Sequence, residues 1–206
     1  VYDVLANTQD MNIIEKPEPE DTPFYINNGT INVGNTNGKV ILQTFSLESL
    51  VRVAEVFQGK VPMCFLLWKG TGATDLTYDD PLGYASFINL GVKYKAHFIG
   101  PCIAGAPNDY PELDQPWQDY LIHRAKMKNH PYTFDTYDQM AKYFGQYNFG
   151  VADGMFNPPY LDALFTNHSD MSINYMITHG WRKSPASQTL VDAREVLRKL
   201  GYLDNN

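Results

Sequence analysis

Short apolar runs that alternate with helical segments are the feature that most constrains the fold of this chain. Five runs of strand length occupy residues 39–45, 61–68, 95–100, 130–134 and 162–167. Strands that are apolar on both faces and separated by amphipathic helices are typical of a parallel sheet covered by helices. The pattern therefore predicts an α/β fold. It fits either an open doubly wound sheet or part of a (β/α)8 barrel, and a sixth strand is predicted at residues 11–15.

Capping residues mark where the predicted helices begin. Ser46, Asp80 and Asp114 each precede a segment with helical apolar spacing, and Pro lies in the first turn after the two aspartates. Thr136 opens a capping-box pattern. A last helix is predicted over residues 184–200, with Gly directly after it.

The 206 residues are predicted to form a single domain. Residues 1–38, which include an acidic Pro-rich stretch and a Gly/Asn stretch, are expected to be an irregular lead-in. Residues 39–172 carry the β/α units, and residues 173–206 carry the C-terminal helix.

Composition and charge exclude several classes of protein. The chain is 44% hydrophobic and 19% charged, so wholesale disorder is excluded. A net charge of −7, from 16 basic and 23 acidic residues, argues against binding to nucleic acid. The longest apolar run, residues 61–68, is far shorter than the roughly 20 residues of a membrane span.

Two features bear on the compartment. Cys64 and Cys102 have no metal-binding or redox spacing and are predicted to be buried core residues. Asn28 and Asn167 each stand in an N-x-S/T sequon, which makes them candidate glycosylation sites and favours a secreted protein.

Known nucleotide and hydrolase motifs are missing, so the candidate site has to be sought at the carboxyl ends of the strands. Gly70 and Gly72 follow a strand but lack the third glycine of a dinucleotide turn. The strand-end side chains predict a neutral, aromatic pocket with His130 as its titrating group, although each of them also suits a cap or a buried polar position. They are Gln43, Thr44, Trp68, Lys69, His130, Tyr132, Thr133, Thr166, Asn167 and His168.

These segments, taken in order, resemble the glycerophosphodiester phosphodiesterase family, most closely its secreted or periplasmic branch. The resemblance lies in KVILQTFSLESL at residues 39–50, FLL at 65–67, FIGP at 98–101, HPYTF at 130–134 and DALFTN at 162–167. An alternative alignment places the closing strand at residues 151–156, VADGMF.

The resemblance implies a (β/α)8 barrel that hydrolyses glycerophosphodiesters to glycerol 3-phosphate and an alcohol, with Ca²⁺ or Mg²⁺ as cofactor. It implies that Gln43, His130, Tyr132 and Thr166 line the mouth of the barrel and contact phosphate or glycerol. Ile14-Glu15-Lys16 is similar to the family's E-I-K strand with one residue deleted, which makes Glu15 a candidate metal ligand.

The chain departs from the family where the catalytic residues are expected. The H-R-G string of the family's first strands is absent, and no E-x-D pair lies on a predicted strand. Five or six strands also cannot close a barrel of eight. The expectation is therefore the C-terminal portion of the barrel, without the first two β/α units, which begins at Val1 and needs an N-terminal companion segment or chain.

Two alternatives remain open at this point. The first is a non-catalytic secreted derivative whose open sheet edges act in extracellular assembly with itself or with other chains. The second is an open-sheet protein, unrelated to the family, that binds a small molecule.

Overall fold

The computed structural model describes residues 1–3, 40–58, 61–68, 80–146 and 161–179, together with residues 194, 197, 198, 201 and 203. The chain divides into two compact units, Val1–Ser172 and Ile173–Asn206. The sheet and the candidate site both lie in the first unit.

A four-stranded parallel sheet forms the centre of the first unit. Its strands are β1 (Leu42–Thr44), β2 (Met63–Leu67), β3 (Phe98–Pro101) and β4 (Lys128–Asn129). They lie in the order β1-β2-β3-β4, which is also their order in the chain, and every neighbouring pair is parallel. The prediction of an α/β fold with a parallel sheet is confirmed.

Each of the four strands is followed by a helix, and a further helix follows the segment at residues 162–167. These helices are α1 (Leu47–Phe57), α2 (Pro81–Lys93), α3 (Pro116–Arg124), α4 (Tyr137–Met140) and α5 (Ser169–Thr178). A π-helical turn, Ala141–Gln146, continues α4. Helix α5 was not predicted from the sequence.

Three of the predicted helix starts are confirmed. The Ser46 hydroxyl accepts a hydrogen bond from the backbone of Ser49, and Thr136 forms a reciprocal capping box. The Asp80 carboxylate accepts from two backbone N–H groups in the first turn of α2. Each side chain satisfies donors that the first helical turn leaves without an intrahelical partner.

The prediction that Asp114 caps the next helix is wrong. The N-cap of α3 is Gln115, which forms a capping box with Gln118. Asp114 is fully buried instead, and its carboxylate accepts a hydrogen bond from the side-chain amide of Asn129. The Asp114 carboxylate therefore accepts a hydrogen bond from Asn129 of β4, whereas the local sequence predicted that it would cap α3.

The fourth strand was predicted over residues 130–134, but β4 begins and ends earlier, at Lys128–Asn129. Pro131 lacks an N–H group and interrupts the ladder. Beyond β4 the chain still pairs with β3, because His130 N donates to Ile99 O at 2.9 Å and Tyr132 N donates to Pro101 O at 3.0 Å.

Residues 162–167 were predicted to be a strand, and they form none. The segment nevertheless runs beside the residues after β4 in the same direction, since Phe165 N donates to Pro131 O at 2.9 Å and Phe134 N donates to Phe165 O at 2.8 Å. The ladder is irregular because the carbonyl of Asn129 accepts from two successive N–H groups, those of Asp162 and Ala163.

The core packs around the two central strands, whose residues are all buried. Phe65 of β2 stacks on Phe87 of α2, with ring centroids 4.3 Å apart. At Gly100 of β3 the packing leaves no room for a side chain, because a Cβ atom there would lie 2.7 Å from Leu66 Cδ2 and 2.8 Å from Cys64 Sγ.

Several sequence predictions fall outside the described residues. They concern the strand at 11–15, nearly all of the lead-in, the alternative closing strand at 151–156, and the residues Glu15 and Asn28. Of the predicted final helix only Arg194, Leu197 and Arg198 are described, and these are helical.

Candidate functional site

A cavity of about 350 Å³ opens at the carboxyl ends of the parallel strands. Its walls come from the ends of β1 and β2, from the loop after β3 and from the residues after β4. This is the edge of a parallel α/β sheet at which ligands bind. The lining residues are Gln43, Phe45, Leu66, Trp68, Tyr110, Tyr132, Thr133 and Phe165.

Four of the lining side chains form what we call the aromatic box, consisting of Phe45, Trp68, Tyr110 and Tyr132. Each ring contacts the next in a closed circuit, with centroids 6.4, 6.0, 6.0 and 5.6 Å apart in that order. The planes of neighbouring rings are steeply inclined to each other, at 58°, 57°, 60° and 86° in the same order. Trp68 is 41% exposed, so the circuit is accessible to solvent on that side.

The polar part of the lining is small. Gln43 is exposed at the end of β1, and Thr133 is buried after the cis peptide bond that joins it to Tyr132. The Tyr132 hydroxyl donates to the carbonyl of Leu67 at 2.9 Å, and burial raises the pKa of this phenol. Tyr132 therefore stays neutral, and its hydroxyl is held by the backbone of β2.

The structure brings together two of the four predicted binding residues. Gln43 and Tyr132 line the same cavity, although they lie in different segments of the family resemblance. His130 and Thr166 are not among its described lining residues. The Thr166 hydroxyl instead accepts a hydrogen bond from the backbone of His168 at 2.8 Å.

His130 lies behind the cavity wall. The residue is 8% exposed, and its ring meets Phe98 edge-on at 5.4 Å and lies 6.4 Å from the ring of Phe165, which lines the cavity. Burial lowers the pKa of His130, so the imidazole is neutral at pH 7.

A second polar cluster, which we call the Asn129 network, was not identified from the sequence. The Asn129 side-chain amide donates to Asp114 at 2.9 Å and to Asp119 at 2.8 Å, and all three residues are fully buried. The Asn129 backbone N–H donates to Asp162 at 2.8 Å. The i,i+4 spacing of Asp119 and His123 on a helix was the one sequence signal for this cluster.

Histidine and lysine complete the Asn129 network. His123 lies 2.7 Å from Asp162 and 3.1 Å from Asp119, and the Lys128 ammonium lies 2.8 Å from Asp162. Burial opposes the charged form of His123, but hydrogen bonds to the two aspartates outweigh it and raise its pKa to about 9. Burial raises the pKa of Asp119 to about 6. Burial also opposes ionisation of Asp162, but His123 and Lys128 keep its pKa below the ordinary value.

The described residues do not fit the divalent cation that the family resemblance implies. No group of three or more His, Cys, Asp or Glu side chains among them is arranged to hold a metal ion. Glu112 and Asp114 have E-x-D spacing, but Glu112 bonds Lys142 and Tyr143, whereas Asp114 bonds Asn129. These carboxylates are therefore engaged by groups of the chain itself, and the candidate ligand Glu15 lies outside the residues that the structure describes.

The two cysteines are buried and unpaired by disulfide, which confirms their prediction as core residues. Burial raises the pKa of Cys64, and it raises the pKa of Cys102 to about 12. The Cys102 thiol donates to the carbonyl of Pro111 at 3.2 Å. Neither thiol is poised to act as a nucleophile, because the thiolate is the reactive form.

Asn167, the described sequon residue, is exposed. Its backbone N–H and side-chain amide both donate to the Asp135 carboxylate at 3.0 Å. A glycan on this amide would have to share it with Asp135 or displace the contact.

Searches against protein-family models and against curated proteins each find no significant match to this chain. Among the helices of the described residues, none is long and apolar enough to cross a membrane.

Proposed function

We propose that this chain is the substrate-binding portion of a (β/α)8 barrel that hydrolyses glycerophosphodiesters. The strand order supports the barrel over a doubly wound sheet. Doubly wound sheets reverse their strand order at a switch point, whereas the four strands here are neighbours in chain order. The segment at residues 162–165 continues that order beside β4, as a further barrel unit would.

The observation that carries the proposal is the meeting of Gln43 and Tyr132 in one cavity. The two residues belong to the LQTF and HPYT segments, which make up the most specific part of the resemblance. Their convergence at the carboxyl ends of the strands is what a barrel active site requires.

The lining residues suggest separate tasks within this site. The exposed Gln43 amide is able to donate to, and accept from, a glycerol hydroxyl or a phosphate oxygen. The rings and Leu66 supply the apolar part of the lining. The described lining carries no charged side chain, so the phosphate charge has to be met by groups that lie outside it.

The proposal is tested by assaying the full gene product and the 206-residue chain on glycerophosphodiesters, with glycerol 3-phosphate as the measured product. We expect hydrolysis by the full gene product with Ca²⁺ or Mg²⁺ and its loss in EDTA. Absence of glycerol 3-phosphate with either cation would refute the proposal. We also propose, from the sequons at Asn28 and Asn167, that the protein is secreted and glycosylated. Its presence in the culture medium tests secretion, and its mass before and after enzymatic deglycosylation tests the sequons.

The second candidate is a non-catalytic binding protein. It is favoured by the absence of any titrating side chain other than tyrosine among the described lining residues. Under this alternative, the full gene product binds a glycerophosphodiester and releases it unchanged.

A further inference from the structure

We propose that Asp162 is a positioning residue for the cavity wall. It holds the 161–167 segment against the residues after β4, and this segment places Phe165 in the wall and keeps His130 covered behind it. The positioning does not depend on the proposed function. Its effect on hydrolysis does rest on that function, because a glycerophosphodiester is then the occupant of the cavity.

Backbone pairing gives the 161–167 segment only irregular support. The N–H groups of Asp162 and Ala163 both donate to the Asn129 carbonyl at 3.1 Å. The next such bond comes from Phe165 N to Pro131 O, at 2.9 Å. Two donors share one acceptor and no strand forms, so the register of the segment has to be fixed by side-chain contacts.

The Asp162 side chain supplies contacts that fix this register. Its carboxylate lies 2.7 Å from His123 Nε2 and 2.8 Å from Lys128 Nζ, and it accepts from the Asn129 backbone N–H at 2.8 Å. The side chain is 9% exposed, so solvent screens these charged contacts less than it would on the surface. Asp162 therefore joins the segment to both α3 and β4.

Phe165 and His130 both depend on such an anchor. Phe165 is 40% exposed, so burial alone does not hold its ring beside that of His130, 6.4 Å away. The Nδ1 atom of His130 is buried and has no hydrogen-bond partner among the described residues. A buried nitrogen without a partner favours contact with water. Covering His130 therefore costs free energy, which contacts elsewhere in the segment have to offset.

The first test compares hydrogen exchange at the amides of Phe165 and Tyr132, measured by NMR in isotope-labelled protein. The Tyr132 N–H donates to Pro101 O of β3 and lies outside the segment. In Asp162→Ala, exchange at Phe165 relative to Tyr132 should be at least about tenfold faster than in the wild type. An unchanged ratio would overturn the inference, and burial of Leu161, which is 3% exposed, would then be what holds the segment.

Leu50→Ala is the matched control. It removes a fully buried side chain of α1, which packs on β1 and β2, and so lowers stability without a change in the 161–167 segment. The exchange ratio should stay at the wild-type value. A rise as large as that in Asp162→Ala would mean that any loss of stability releases Phe165, which contradicts the inference.

Asp162→Asn decides the matter if Asp162→Ala does not fold. The amide has almost the size of the carboxylate and still accepts from the Asn129 N–H, but it loses the charge that His123 and Lys128 face. The exchange ratio should rise in this variant too. No rise would refute the role of Asp162.

The second test follows the ring protons of His130 by NMR as the pH is changed. Burial holds the pKa of His130 below 6.5 in the wild type. In Asp162→Ala the ring gains contact with water, so its pKa should rise towards 6.5, and Leu50→Ala should leave it in place. Loss of the Asp162 charge alone would act in the opposite direction. A pKa that does not rise would show that the segment is not held over His130 by Asp162.

Hydrolysis assays separate the inference from the proposed function. With a glycerophosphodiester as substrate, Asp162→Ala should raise KM several-fold, because Phe165 leaves its place in the wall, and Leu50→Ala should not. Faster exchange at Phe165 with an unchanged KM confirms the positioning and removes the cavity as the substrate site. If no diester is hydrolysed, the proposed function fails, and exchange and titration still decide whether Asp162 positions Phe165.

Discussion

The Asn129 network and the aromatic box, which lie in the same compact unit, use their side chains in opposite ways. In the Asn129 network, three aspartates, two of them fully buried, are engaged by an amide, an imidazole and an ammonium of the chain itself. In the box, four rings line one cavity, and Trp68 is 41% exposed.

This difference shows why the larger collection of ionisable groups is the weaker candidate for a binding site. Strongly perturbed pKa values mark functional sites only when the groups are accessible to a ligand. Networks with a purely structural role also shift pKa values. The residues of the Asn129 network come from β4, from α3 and the loop before it, and from the segment after residue 160, so the network ties these parts together. The rings of the box line a cavity at the carboxyl ends of the strands, and a ligand requires such a cavity.

The largest expected effect is that of Asn129→Ala. The substitution leaves two fully buried carboxylates without their amide donor, and each such loss costs about 1–3 kcal/mol. The free energy of unfolding, measured with urea, should fall by about 2–5 kcal/mol. The control is Asn167→Ala, whose bonds to Asp135 are exposed and whose loss should cost less than about 1 kcal/mol. Similar values for the two variants would contradict the assignment of a structural role to the network.

Gly100→Ala should be the next most destabilising change. The new methyl group would press on Leu66, Cys64 and the carbonyl of His130, which lies 3.0 Å away in the neighbouring backbone. Overpacking of this kind costs about 1–3 kcal/mol. Gly91→Ala is the matched variant, because its close neighbours are the flexible ends of Ile99 and Met127. Chemical denaturation should rank Gly100→Ala as the less stable of the two, and the reverse order would contradict the packing at β3.

His123 should make stability depend on pH on the alkaline side of neutrality. Its pKa is raised from 6.5 to about 9, so the imidazolium contributes stability fully below pH 6.5. That contribution is lost as the pH rises through about 9. Asp119, with a pKa of about 6, is already ionised over most of this window. The unfolding temperature should fall between these limits, and His123→Gln should flatten the fall. An equally steep fall in the variant would show that another group is responsible.

The smallest effect on stability is expected for Gln43→Ala. Gln43 is exposed, so the free energy of unfolding should change by less than about 0.5 kcal/mol. If the cavity is the binding site, the same variant raises KM for a glycerophosphodiester several-fold, because one hydrogen bond is worth about 1 kcal/mol. Unchanged kinetics would remove Gln43 from the site, and a large loss of stability would make its role structural.

Local signals predicted much of the fold. The alternation of strands and helices, and the helix starts at Ser46, Asp80 and Thr136, follow from apolar spacing and capping chemistry close in sequence. Asp114 has the same local signal and does not cap a helix, because Asn129 offers a buried hydrogen bond that no local pattern reveals. The competing partner comes from another element, so its effect depends on tertiary structure.

The candidate site was predictable only in part. Gln43 and Tyr132 were predicted because they stand at strand ends and in segments of the resemblance, and both line the cavity. His130 stands in the same segment, but Phe98 covers it edge-on and its ring lies behind the cavity wall. Tyr110 had no signal in the sequence, since it lies in the loop after β3 and reaches the cavity only when that loop folds against Trp68 and Tyr132.

By itself the sequence determined the class of the fold, since the burial of apolar runs and the capping of helices depend on near neighbours. It also determined that the strand ends are aromatic and nearly uncharged. The tertiary structure decided which of these side chains face one another. Parallel pairing brings together residues that follow four separate strands, and only that packing placed four rings along one cavity and three aspartates within hydrogen-bond distance of Asn129.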